Sequence, residues 1–121
     1  MLENSNVSTR IPVQYLERAR VFYKDKLDLI PCEERHGGLR HYSGNGFSSL
    51  FQSAGKASGD HTQMAWEVDD IISTVKFLRS RGVKFEEYDV PRLRTVNGIA
   101  EISGNYPSSR ALGEKGACLV P

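Results

Sequence analysis

Two stretches of this chain carry the same pattern at an offset of 55 residues. Ile11-Pro12-Val13-Gln14-Tyr15-Leu16 runs into a helical stripe of Leu16, Ala19, Phe22, Tyr23 and Leu27. Trp66-Glu67-Val68-Asp69-Asp70-Ile71 runs into a second stripe of Ile71, Val75, Phe77 and Leu78. The offset lays Phe77 on Phe22 and Leu78 on Tyr23. A strand leading into an amphipathic helix, twice at one spacing, predicts two copies of one supersecondary unit. Two such units can set their sheets face to face around a cleft, where a ligand would sit.

The chain has 121 residues. That is one domain, or two small halves sharing a core, and it buries roughly two-thirds of its unfolded surface. The formal net charge is +1. No global field therefore favours nucleic acid or anionic lipid. No apolar run is long enough to span a membrane. The first six residues are polar and lack the charged-then-apolar layout of a secretory signal. Cys32 and Cys118 are the only cysteines, in no metal or redox spacing. Free thiols in a reducing cytoplasm are the expected state.

Val7, Thr9, Ile11 and Val13 alternate with Ser8, Arg10 and Pro12. That is the period of a strand with one apolar and one polar face. A helix over Leu16–Leu27 follows, its stripe turned to the apolar side. Residues 29–34 read as a short strand, with Pro31 marking an edge. After the turn His36-Gly37-Gly38, residues 39–42 and 47–51 form a hairpin across Ser43-Gly44-Asn45-Gly46. Residues 62–68 repeat the opening strand, Asp69 or Asp70 caps a helix reaching Arg81, and Gly82 ends it. Strands at 83–88, 97–102 and 115–120 complete the pattern, with an exposed loop over 103–114. The predicted class is α+β, in a single domain. Its first module spans 6–53, a connector rich in Ser, Gly and Ala spans 54–60, and the second module spans 61–121.

The runs Ile11-Pro12-Val13, Leu16-Glu17-Arg18-Ala19-Arg20 and Phe22-Tyr23 resemble the opening of the glyoxalase/bleomycin resistance/dioxygenase superfamily, also called vicinal oxygen chelate. Trp66-Glu67-Val68-Asp69-Asp70-Ile71 and Arg81-Gly82-Val83 resemble its second module. Residues 98–107 and Gly113-Glu114-Lys115-Gly116-Ala117 resemble a short bacterial subgroup of it. The resemblance covers nearly the whole chain. It implies two βαβββ modules curving into an incomplete barrel around a cleft. Laying one copy over the other leaves two readings of the second module's end: residues 97–102 make up the strand count, or the module lacks its last strand. The resemblance also implies a homodimer, which base rates favour too. Members include metal-dependent isomerases, ring-cleaving dioxygenases and proteins that sequester an antibiotic. The fold does not choose among them; the site must.

By the same resemblance, metal ligands come from the first and last strands of each module, as His, Gln or Glu. The first position falls on Ser8, a poor ligand, and its repeat partner on Gln63, a weaker one than His or Glu. The first module's last strand offers Ser48, Ser49 and Leu50, and the chain reaches Cys118-Leu119-Val120-Pro121 before a fourth ligand. No metal and no cofactor are expected. His61 lies near Gln63 at a frayed strand start. His36 and His41 lie in or beside a turn, where a lone histidine reads as a surface residue.

Strand alternation then turns Ser8, Arg10 and Pro12 toward the concave face of module one, and Gln63, Ala65 and Glu67 toward that of module two. Met64, Trp66 and Val68 pack under the second helix. Arg10 and Glu67 pair with each other, stand as solvated strand ends, or serve a ligand. In the last case Arg10 grips an anionic or carbonyl group and Glu67 accepts hydrogen bonds. Tyr42, Phe47 and Phe51 are either an aromatic wall or core. Arg92, Arg94 and Tyr106 fall on loops that could close a mouth. The expected ligand-binding set is Ser8, Arg10, Tyr42, Gln63 and Glu67, with a small-molecule ligand as partner. A metal-free binding or sequestering protein is the leading reading. The alternatives are a metal-dependent lyase, isomerase or dioxygenase, and a dimeric interaction module whose missing strand comes from another chain. No nucleophile elbow, phosphate-cradling glycine loop or aromatic-basic nucleic-acid stripe is present.

Overall fold

The computed structural model describes residues 1–55, 63–91, 93–103 and 113–120. His61, Arg92 and residues 104–112 of the expected 103–114 loop, Tyr106 among them, lie outside the described residues, while the two ends of that loop are strand. The chain divides into two compact units, Met1–Trp66 and Glu67–Pro121.

In the first unit the strands are β1 (Thr9–Val13), β2 (Pro31–Arg35), β3 (Gly38–Ser43) and β4 (Gly46–Gln52), with helix α1 (Leu16–Leu27) after β1. The sheet order is β1-β4-β3-β2, with β1 parallel to β4 and the other pairs antiparallel. This is the predicted βαβββ module. Helix α1 stops at Asp28, whose φ of 63° is left-handed, and the amides of Asp28 and Leu29 both donate to the Tyr23 carbonyl. An aspartate tolerates that conformation better than most non-glycine residues. The β3–β4 hairpin turns on Gly44-Asn45, with Ser43 opposite Gly46 and Gly44 at φ +56°. A two-residue turn of this kind needs a positive φ, which glycine adopts without strain.

The predicted alternation sets the core of this unit. Leu50, Leu39 and Tyr23 are buried, and Ile11, Val13, Leu16, Ala19, Phe22, Leu27 and Leu29 pack against them. Val7, expected on this face, precedes β1 and is almost fully exposed. Met64, expected under the second helix, packs against this same cluster. Residues 63–68 form no strand, so no ladder fixes their register. Trp66 and Val68, expected in the core, are exposed at 36% and 37%.

The second unit holds α2 (Ile71–Ser80) and strands β5 (Lys84–Phe85), β6 (Asp89–Val90), β7 (Leu93–Val96), β8 (Ile99–Ser103), β9 (Gly113–Ala117) and β10 (Leu119–Val120). Asp70 caps α2: its carboxylate accepts from the Ile72 and Ser73 amides. Gly82, at φ +87°, follows the helix, with its amide donating to Arg79 and that of Val83 to Leu78. Strands β6-β7-β8-β9 form an antiparallel sheet, and β5 pairs with β10. Asn97 and Gly98, expected inside a strand, are instead the turn between β7 and β8, both at positive φ, with Val96 opposite Ile99. Asn-Gly at the centre of a two-residue hairpin is the favoured chemistry for such a turn. A side chain at Gly98 would also meet the Arg79 guanidinium at 2.9 Å and Phe85 at 3.0 Å.

The second copy departs from the first most visibly at its opening strand, where the sequence pattern predicts a repeat. In the first unit β4 has β1 as its outer neighbour, in parallel. In the second, β8 has β9 there, antiparallel and drawn from later in the chain.

Candidate functional site

The first sheet has two faces of different chemistry. Leu39, His41, Ser48 and Leu50 are buried on the side of α1. The other side carries Arg10 and Pro12 from β1, Phe47, Ser49 and Phe51 from β4, and Arg40 and Tyr42 from β3, by strand alternation. The register pairs Arg10 with Ser49, Ser49 with Arg40, and Arg40 with Glu33, making one row across four strands. The Arg10 guanidinium lies 5.5 Å from the Phe51 ring centre and that of Arg40 lies 5.3 Å from Phe47. Tyr42 meets Phe47 edge-on at 4.9 Å.

A guanidinium resting on a ring keeps its N–H fork free while the ring fixes its plane. Among the described residues neither Arg10 nor Arg40 forms an ion pair with a carboxylate. Their backbones stand two strand spacings apart, roughly 10 Å, with the Ser49 hydroxyl between. Two cations, one hydroxyl and exposed aromatic surface suit an organic anion with a flat apolar body. No histidine or carboxylate acting as a base for Ser49 lies on this row, since Glu33 pairs with Arg35.

Arg10 and Tyr42 thus stand on one face of the sheet. Ser8 precedes β1 and is exposed, Gln63 is exposed in the irregular stretch 63–68, and Glu67 is exposed in the second unit. Tyr42 and Phe47 are 55% and 45% exposed, so they form a wall and not core. Arg40 and Ser49 were not among the expected ligand-binding residues. The alternation Leu39-Arg40-His41-Tyr42 would have found Arg40, because it must share the face of Tyr42.

His41 is a correction. Expected at the surface, it is fully buried. Alternation with Leu39 turns it toward α1, where it stacks on Tyr23 at 4.8 Å and 25°. Neither ring nitrogen has a hydrogen-bond partner among the described residues. Burial, aided by the nearby Arg20 charge, pushes its pKa below the usual histidine value. Burial also raises the Tyr23 hydroxyl. Arg20 itself is held by Glu17 at 2.9 Å and by Glu34.

The donor set does not fit a divalent metal. Ser8 and Gln63 are exposed, Ser48 and Ser49 face opposite sides of the sheet, and no three His, Cys, Asp or Glu residues gather among the described residues. No described helix is long and apolar enough to cross a membrane.

No family model matches the sequence. No curated protein matches it either. The backbone does have solved counterparts. A glyoxalase/bleomycin resistance protein/dioxygenase from Nocardioides superposes with a TM-score of 0.59 at 18% identity, over 78% of this chain and 71% of that one. An integron cassette protein from the mobile metagenome of V. Pseudocholerae gives 0.51 at 17% identity, over 80% and 82%. At these identities the likeness speaks for the backbone alone. The chain therefore has the α+β fold of the glyoxalase/bleomycin resistance/dioxygenase structures, the fold its sequence resemblance implies.

Proposed function

We propose that this protein binds an organic anion with an aromatic or carbonyl-bearing body on the open face of its first sheet, without a metal. One observation carries the reading: Arg10 and Arg40 flank Ser49 in a single cross-strand row, each stacked on a phenylalanine. Tyr42 extends the aromatic surface. The arginines select the charged group, and the rings take the flat body. Binding or sequestration, with no bond made or broken, is the job this residue set supports. Ser8 and Gln63, of the same unit, remain part of the proposed set as polar groups that orient the ligand, and Glu67 remains a proposed ligand-binding residue of the second unit. A cytoplasmic homodimer belongs to the same proposal.

The test is thermal denaturation with benzoate, naphthoate and salicylate as probes, beside their uncharged amides. The acids are expected to raise the melting temperature and the amides to do so less. Arg10→Ala and Arg40→Ala should each weaken the acids by about tenfold, the loss of one charge-assisted contact. Equal shifts from acids and amides, or unchanged binding in both variants, would end the proposal.

A further inference from the structure

The second unit contains a recess of different character. Helix α2 and the sheet β6–β9 bound an open groove of about 1020 Å³. That is the size of a small-molecule site. Ile72 and Val75 of α2 line one wall, and Leu93, Val96 and Ile99 line the other. Ile72 is 57% exposed and Val96 75% exposed, so apolar surface on both walls faces water. Among the described residues the lining holds no aromatic side chain. Branched aliphatic walls offer an alkyl chain close contact and offer a flat ring nothing to stack on.

The charge on this groove is one-sided. Lys76, Arg79, Arg94 and Lys115 line it, against the single carboxylate of Glu101. Arg79 is engaged by Glu87 and rests on Phe85, Arg94 pairs with Asp89, and Lys115 stands opposite Glu101 in the β8–β9 register. Lys76 has no carboxylate partner among the described residues. It lies one turn from Ile72 on the same wall. An apolar trough beside an uncommitted ammonium matches a long-chain anion.

We propose that this groove is a second binding site, taking a long-chain carboxylate: the alkyl chain along Ile72, Val96 and Ile99, the carboxylate at Lys76. It lies wholly within the second unit and does not depend on the arginine row of the first.

The experiment is calorimetric titration of the full chain with octanoate, decanoate and dodecanoate, each below its micelle threshold. Affinity should rise about two- to fourfold per added methylene, the upper figure being full burial. Val96→Asp and Lys76→Glu change exposed residues and leave the core alone. Each should weaken dodecanoate by about tenfold or more. Affinity independent of chain length would overturn the proposal. So would binding lost in Arg10→Ala and retained in Val96→Asp, which places the chain on the first sheet. A dimer by light scattering that Val96→Asp dissociates, with no dodecanoate binding, would overturn it in favour of a second copy as occupant.

Discussion

The two helices of this protein begin from matching sequence patterns and end in different packing. Helix α1 closes on its sheet through Tyr23, Leu39 and Leu50, all buried. Helix α2 lies beside a groove, and among the described residues the buried hydrophobics of its unit are Val75, Val83 and Ala100. The cause is in the strands and not in the helices. The β3 and β4 residues facing α1 are Leu39, His41, Ser48 and Leu50, without a charge that must stay solvated. The β7–β8 face bearing Val96 and Ile99 also bears Arg94 and Glu101, by alternation and register. A helix cannot settle on that face without desolvating an ion. The first unit also gains β1, which adds Ile11 and Val13 to its core. The second has β9 in that place, which carries Lys115 opposite Glu101.

The contrast makes graded demands on mutation. Leu50→Ala removes a fully buried side chain and should cost about 3 kcal/mol in urea unfolding. Val96→Ala, on the open groove, should stay within about 0.5 kcal/mol. Similar costs at both sites would erase the difference between the units.

His41 gives the next largest effect. Two buried ring nitrogens without partners are a standing penalty, and His41→Phe should stabilise by about 1–2 kcal/mol at neutral pH. The pH dependence follows from the lowered pKa. Above the unfolded-state value of about 6.5, both states hold the ring neutral. Below it the unfolded chain takes a proton that the folded chain refuses, so stability falls until the folded-state pKa is passed. Unfolding midpoints between neutral and mildly acid pH should show this slope in the native chain and a shallower one in His41→Phe. An unchanged slope would mean that His41 is not the titrating group.

The smallest of the three falls on α2, which leans on its cap more than α1 does. Asp70→Ala should cost about 1 kcal/mol, seen as a lower melting temperature and faster amide exchange at Ile72 and Ser73. Exchange unaltered at those two amides would show that the cap carries no weight.

The first unit was legible because each of its signals was local and mutually consistent. Helical spacing gave Leu16–Leu27, and alternation gave the core face of β1. The arginine row was only half legible: Arg10 was visible from β1 alone, but Ser49 and Arg40 join it through register, which links residues far apart in sequence. His41 was misjudged from its nearness to a turn, when its place between Leu39 and Tyr42 fixed its face. In the second half of the chain the repeat misled. It assigned a strand to 62–68, of which the described residues 63–68 form no ladder, and it absorbed Asn97-Gly98 into a strand although that dipeptide is a strong hairpin signal. Strand β7 was missed with it.

The parallel pairing of β1 with β4 sets an order of assembly. The β3–β4 hairpin closes over a two-residue turn, and a hairpin of that kind forms in microseconds. Strand β1 must find Ser48 and its neighbours across α1, β2 and β3, so its loop-closure entropy is met before its contacts form. The arginine row therefore assembles from its Ser49–Arg40 half, and Arg10 arrives only when the slowest contact of the unit is made.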